Sequence, residues 1–234
     1  MRRIYQTGGN FGSPKLDLAG CVLYVPLWRP DLAGNSFKSK GPYGIPIHTC
    51  TVTGAVWGLQ GRTFDGTNDY ISFGNNAILN FTTQDFTLIS WIKPDLSGAV
   101  DAFHIFSRSP NPLISGYRLW YQNDDKIVHF NTYQAADGQE TTSTGALTDA
   151  EWQQIVVIRA GAVVNIYRNL VDITNVSGTH IDPDTSTANF TMGIHPDGVN
   201  YSYAGIFGEG EVYNRALTAV DVAHNWQSTK WRYQ

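Results

Sequence analysis

Glu209 and Glu211, in Glu209-Gly210-Glu211, are the side chains whose types and spacing come nearest to catalysis. Alternate residues of a strand share a face, so both carboxyls point the same way. A pair of carboxyls on one face is a minimum for general acid–base work. No third carboxylate falls in step, and the competing reading is two acids on a solvated strand face. Other catalytic patterns are absent from the sequence: there is no Gly-x-Ser-x-Gly elbow, no His-Glu-x-x-His, no Cys-x-x-Cys and no phosphate-binding loop. The six histidines are scattered without metal-ligand spacing, and His48, His104 and His129 fall on or near predicted strands, where a hydrogen-bonded structural role is expected. Cys21 lies in an apolar run, which favours an inert thiol. The chain has two cysteines, Cys21 and Cys50, and two buried free thiols are expected in preference to a disulfide.

The elements that must position these residues read as strands. Asp65-Gly66 and Asn68-Asp69 are turn chemistry, and Tyr70 to Phe73 is a short strand broken by Gly74-Asn75-Asn76. Phe86 to Ile92 is the clearest strand: Phe86, Leu88, Ser90 and Ile92 share one face, and Thr87, Ile89 and Trp91 the other. Pro94 stops it. Cys21 to Trp28 is apolar on both faces, with Pro26 arguing for an edge or a bulge. Ile47 to Val56, closed by Trp57-Gly58, reads as one strand. Ala102 to Ser107, Tyr117 to Tyr121 and Ile127 to Tyr133 follow, the last with Val128 and Phe130 on one face and His129 and Asn131 on the other. Gln154 to Arg159 and Val163 to Arg168 form a hairpin through Ala160-Gly161-Ala162. Short strands are expected near 141–144, 171–174 and 188–194, and Ile206 to Tyr213 is the last long strand, carrying both glutamates. One helix is expected after Thr218, with Thr218 as N-cap, Asp221 as its capping-box partner and Leu217 with Val222 as a hydrophobic staple. Ala219, Val222, Ala223 and Trp226 give it one apolar face, suited to lidding the strands. Many short strands with one terminal helix predict an all-β fold: a two-sheet antiparallel β-sandwich with one short C-terminal helix.

Several of these residues carry a family resemblance. Phe-Asp-Gly-x-x-Asp-Tyr-Ile at 64–71 and Phe-Thr-x-x-x-Trp-Ile-Lys-Pro at 86–94 come first. Glu151-Trp152 with Ile155-Val156-Val157, Asn165-Ile166-Tyr167, Met192-Gly193 and Tyr213-Asn214-Arg215-Ala216-Leu217-Thr218 continue in the same order. The set resembles the laminin-G-like jellyroll domain of the concanavalin A-like superfamily, over roughly residues 20–228. The chain departs from the pattern at Gln153-Gln154, where relatives often have His, and at Arg168-Asn169-Leu170, where an Asp-Gly turn is common. The expected organisation is a polar arm over 1–19, held by the domain or a neighbouring subunit, then a laminin-G-like jellyroll domain over 20–234.

The resemblance implies what the sites would be. Relatives often hold one Ca²⁺ at the sandwich rim through Asp, Asn and backbone oxygens. Here the candidates are Asp65, Asn68 and Asp69 in the first turn and Asp182 and Asp184 later, with Asp197 and Asn200 as third choice; the competing role for each is capping a turn. Lectin sites on this architecture stack sugars on exposed aromatics, and the candidates are Tyr117, Trp120, Tyr121, Tyr133, Tyr201 and Tyr203, with core burial the competing reading. Glucanases share the fold, so Glu209 and Glu211 would be the acid pair of a glycoside hydrolase, whose two carboxyls flank the scissile bond.

Composition narrows the partners. The chain of 234 residues is 42% hydrophobic and 15% charged, enough apolar surface for one large β domain, with net charge −4 and no Lys/Arg run. Phosphate neutralisation, and with it nucleic-acid binding, is not expected. No apolar run reaches a membrane-spanning length. Met1-Arg2-Arg3 opens like a signal peptide, but Ile4 to Pro14 is polar and Gly-rich, so a cleaved signal is not expected. Seven Trp and twelve Tyr suit a core, a sugar-binding face or an interface. The expected function is a non-catalytic binding and structural module of a virion or surface protein, acting through homo-oligomer or particle contacts and glycan recognition, with calcium as the cofactor to test. The alternative is a glucanase-type hydrolase using Glu209 and Glu211.

Overall fold

The computed structural model describes residues 16–41, 47–97, 102–122, 124–135, 137–197 and 201–234. Residues 1–15 of the expected arm and Asn200, the third-choice calcium candidate, lie outside the described residues. The first strands are β1 (Cys21–Pro26), β2 (Ser36–Lys38), β3 (Thr49–Thr53), β4 (Val56–Gly58), β5 (Gly61–Asp65), β6 (Tyr70–Ser72) and β7 (Phe86–Pro94). Then come β8 (Ala102–Ser107), β9 (Ser115–Gln122), β10 (Val128–Gln134), β11 (Asp137–Ser143), β12 (Gln153–Ala160) and β13 (Val163–Arg168). Four more, β14 (Val171–Asp172), β15 (Thr174–Ser177), β16 (Thr191–Met192) and β17 (Ala204–Tyr213), precede α1 (Ala219–Thr229) and a 3₁₀ turn at Lys230–Arg232.

The strands form two antiparallel sheets. One has eight strands in the order β14-β13-β12-β7-β17-β5-β4, with β1 also paired to β17; the other has nine in the order β15-β11-β10-β9-β8-β16-β6-β3-β2. β17 is long enough to give one edge to β7 and divide the other between β5, at Ala204 to Phe207, and β1, at Glu209 to Tyr213. Pro26 ends β1 on that divided edge, where a missing N–H is tolerated. Two expected strands each divide between the sheets. Residues 47–58 give β3 in the nine-stranded sheet and β4 in the eight-stranded one. Gly54 makes the switch at φ +70°, with Asp69 Oδ1 only 1.6 Å from where a Cβ would stand. The strand expected near 171–174 divides likewise into β14 and the start of β15, which runs on to Ser177.

The core lies between the sheets. Phe86, Leu88 and Ile92 enter it, with Phe106, Tyr117, Phe130 and Phe207, whereas Ile89 and Trp91 face outward. The two-residue period of β7 is therefore as the sequence predicts. Phe86 stacks on Phe81 at 4.7 Å and meets Tyr117 at 5.0 Å between centroids. The outward residues of β7 and β17 are not solvated, because α1 covers them. Thr218 caps α1 in a reciprocal box with Asp221, and Val222, Asn225, Trp226 and Thr229 face the sheet at spacings of three and four. Trp91 is held between Trp226, at 4.8 Å, and Tyr233, at 4.6 Å, and donates from Nε1 to Thr229 Oγ1. No helix among the described residues is long and apolar enough to cross a membrane.

Candidate ligand-binding site

The glutamate pair is buried, which corrects the expectation of a solvated face: Glu209 is 1% exposed and Glu211 0%. A bulge aims both side chains. Ile92 pairs with Phe207 and Trp91 with Glu209, so β17 carries one extra residue at Gly208. The insertion reverses the parity of β17, turning Glu209, Glu211 and Tyr213 outward under α1 instead of into the core. A Cβ on Gly208 would lie 2.4 Å from the Tyr233 ring, so only glycine lets that ring close over the bulge. Glu209 Oε2 accepts from Trp28 Nε1 at 3.2 Å and Tyr24 Oη at 3.4 Å and faces Arg232 Nη1 at 3.5 Å. Glu211 Oε2 accepts from Asn225 Nδ2 and contacts Tyr213 Oη.

Burial, then the neighbouring Glu209 charge, push Glu211 up to about 8. Hydrogen-bond counting agrees. Tyr213 Oη contacts both Glu211 and Asp17 O, the latter at 2.8 Å. It owns one proton, so both contacts are hydrogen bonds only if Glu211 brings another. The pair therefore reads as a polar joint between β17 and α1. Glycosidase chemistry would need both carboxyls to flank a bound glycosidic linkage, and here helix and aromatic rings cover them.

The opposite outer face carries a hollow of about 390 Å³, lined by Ala102, Asn111, Leu113, Arg118, Trp120, Gln122, His195, Asp197 and Tyr201. β9 supplies its wall by alternation: Arg118, Trp120 and Gln122 point out while Tyr117, Leu119 and Tyr121 point in. Neighbouring strands fix the Trp120 ring. It pairs in register with His104 on β8 and His129 on β10, and stacks on His129 at 4.3 Å. Its Nε1 donates to Asn131 Oδ1 at 2.6 Å. The same oxygen accepts from Arg118 Nε at 3.3 Å, and the Arg118 guanidinium lies 4.6 Å from the Trp120 centroid. Asn131 and His129 both bond Glu140 Oε1, which anchors the row.

His195 is 3% exposed and packs edge-on against His104 at 5.2 Å. Burial lowers both histidines, the second assisted by His195 and Arg118, so the rings are neutral at pH 7. His195 Nδ1 faces Asp197 Oδ1 at 3.3 Å, and its Nε2 has no partner. The Asp197 backbone N–H donates toward the same Nδ1 from 3.5 Å, so Asp197 engages this nitrogen alone and Nε2 is left for whatever fills the hollow. Tyr201 is 38% exposed at φ +65°, a strained backbone for a large residue, and its carbonyl accepts from His104. Asp197 also accepts from Asn111 Nδ2 at 3.1 Å, which ties the rim to the floor.

Of the aromatic candidates, Trp120 and Tyr201 come together here. Tyr117, Tyr121 and Tyr203 are 0% exposed in the intersheet core and offer no face to a sugar. Tyr133 is buried too, its ring packed over Gly138. Arg118, Gln122, Asn111 and His195 were not candidates from sequence. Strand parity could have found the first two, because a β9 that buries Tyr117 and Tyr121 must expose them.

The calcium candidates are committed to turns and an ion pair. Asp69 Oδ2 accepts from Asp65 N, Asp65 Oδ1 from Thr67 N, and Asp184 Oδ2 from Ala135 N. Asp182 pairs with Arg159 at 2.6 Å, and Asn68 is exposed. Ca²⁺ needs six to eight converging oxygens. Among the described residues no three His, Cys, Asp or Glu gather to hold a metal ion, so the donor set does not fit one. Cys21 and Cys50 are both free and buried.

Two antiparallel sheets packed face to face, closed by one C-terminal helix, define a concanavalin A-like β-sandwich. A laminin-G-type family model, described as the concanavalin A-like lectin/glucanases superfamily, matches residues 65–223, and the chain belongs to that superfamily. No curated protein sequence matches it. Among solved structures it is similar to a Trypanosoma rangeli sialidase in complex with sialic acid, at 16% identity and TM-score 0.69, covering 93% of this chain and 34% of that one. It is also similar to the botulinum neurotoxin serotype G binding domain, at 14% identity and TM-score 0.68, covering 90% of this chain and 52% of that one. The binding domain of Paraclostridial Mosquitocidal Protein 1 matches at 15% identity and TM-score 0.62, covering 91% and 52% respectively. At these identities the likeness is one of fold, and the chain spans about a third to a half of those proteins.

Proposed function

We propose that this chain is a non-catalytic carbohydrate-binding module that takes a sugar in the Trp120 hollow. The observation that carries the reading is the unpartnered His195 Nε2 beside Trp120 and Tyr201 in a hollow of about 390 Å³. A few convergent polar groups set among apolar and aromatic walls suit a ligand with hydroxyls and an apolar ring face. Arg118 adds a donor fork that also suits a carboxylate-bearing sugar. The module serves a larger surface or virion protein: the solved structures it resembles carry this sandwich as a third to a half of a longer chain.

The test is calorimetric and NMR titration with methyl β-D-galactopyranoside, N-acetylglucosamine and N-acetylneuraminic acid, backed by a glycan array. Trp120→Ala is expected to weaken binding by about tenfold or more, the loss of one stacking and orienting contact. Silence across the array, or affinity unchanged in Trp120→Ala, would refute the site.

A further inference from the structure

A second hollow, of about 260 Å³, opens between Trp28, Leu59, Gln60, Trp231, Arg232 and Tyr233. Trp28 and Tyr233 belong to the aromatic cluster over the eight-stranded sheet, so this hollow faces away from the Trp120 site. The Arg232 guanidinium lies 4.4 Å from the Trp28 centroid and 4.6 Å from that of Trp231. Trp231 is 59% exposed and Leu59 84%, so the mouth is apolar and open.

Its walls hold buried polar atoms with no hydrogen-bond partner. Tyr233, only 5% exposed, leaves Oη unbonded, and Arg232 leaves Nε and Nη1, the latter with just the 3.5 Å ion-pair contact to Glu209. Behind them Glu209 Oε1 and Trp152 Nε1 are unpartnered as well. A buried donor or acceptor left without a partner is costly, and such a concentration calls for an occupant.

The orphans constrain its chemistry. Tyr233 and Arg232 line the hollow and offer donors, while the Glu209 carboxyl stands behind Arg232 at 3.5 Å and balances the guanidinium. An anion would suit Arg232 but meet Glu209. A cation would suit Glu209 but meet Arg232, which already holds the cation–π position on both tryptophans. A neutral group that donates and accepts, on a ring that can lie against Trp231, satisfies both sides. We propose that this hollow is a second ligand site, independent of the Trp120 hollow, for a neutral hydroxylated ring such as a hexopyranose.

The experiment uses the full chain labelled with 5-fluorotryptophan and carrying Trp120→Ala, so that the first hollow is disabled. Fluorine NMR follows titration with the methyl pyranosides of β-D-galactose, β-D-glucose and α-D-mannose. Saturable shifts confined to Trp231 and Trp28 are expected for at least one glycoside. Trp231→Ala should weaken the Trp28 response by about tenfold while the melting temperature stays unchanged, as exposure of Trp231 allows. Gln60→Ala, a second surface change, should weaken it in the same direction. No shift with any glycoside means the hollow holds solvent and ends the proposal. So do uniform shifts at every tryptophan, or shifts that Trp231→Ala leaves intact. The Trp120 resonance of the wild-type chain reports the first hollow separately.

Discussion

Tyr117 and Tyr121 sit four residues apart on β9, both 0% exposed, and differ in one respect: Tyr117 Oη donates to Leu79 O at 2.8 Å, while Tyr121 Oη is buried without a partner. A hydrogen bond made in the core contributes about 1 kcal/mol net, and an unmade one is a liability of similar size. Tyr117→Phe is therefore expected to lose about 1 kcal/mol in denaturant unfolding, and Tyr121→Phe to be neutral or stabilising by up to about that amount. Neither should alter sugar titrations, since both rings lie on the far side of β9 from Trp120. Equal losses from the two variants would mean that Tyr121 has a partner after all. The same parity explains what sequence could and could not show of the site. Trp120 was legible as an aromatic on a strand, but Tyr117 and Tyr121 cannot share its face. His195 and Asp197 reach the hollow from a turn about seventy residues away, a juxtaposition that only the paired sheet creates.

At the scale of elements, α1 shows how local signals and buried chemistry combine. Its capping box, staple and apolar spacing were all readable, because each depends on residues within one turn or two. That its footing contains two buried glutamates was not readable, because the Gly208 bulge decides which way they point and a bulge has no fixed sequence mark. Thr218→Ala should lower stability by about 1 kcal/mol, the ordinary cost of a lost N-cap, measurable in a urea melt. Glu211 carries a stronger signal. Its ordinary value is 4.5 and its folded value about 8, so the folded state holds the proton more tightly. The stability it contributes is full below about pH 4.5 and falls as pH rises toward 8. His48, His104, His180 and His195, all lowered by burial, act with the opposite sign, adding stability as pH rises toward their ordinary 6.5. The clean readout is thus the difference between wild type and Glu211→Gln. The variant should match wild type near pH 5 and exceed it by a few kcal/mol, to order of magnitude, near pH 8. A difference that does not change between those pH values would show Glu211 ionised in the folded protein.

Across the whole molecule, apolar burial falls into two layers of unequal size. The larger fills the space between the sheets and contains Cys50; the smaller lies between the eight-stranded sheet and α1 and contains Cys21, with Ile89, Val156, Leu217 and Val222. Both thiols are free, and burial pushes Cys50 up to about 12 and Cys21 higher still. Neither forms a reactive thiolate until its layer opens. Opening the outer layer requires only that α1 and the 3₁₀ turn lift away, whereas opening the inner one separates the sheets. Local units of this kind open with different free energies, and labelling distinguishes them. Under native conditions an aromatic disulfide reagent is therefore expected to reach Cys21 well before Cys50, with a weaker dependence on denaturant. Val222→Ala, which thins the helix footing, should speed labelling of Cys21 and leave Cys50 unchanged; an inner change such as Leu88→Ala should speed both. Equal rates for the two thiols in every variant would show that helix and sandwich unfold as one cooperative unit. Unequal rates would also locate the two proposed ligand sites mechanically. The Trp120 hollow stands on strands that part only on global unfolding, and the Trp231 hollow on the segment that lifts first, so a sugar bound there would slow Cys21 labelling alone.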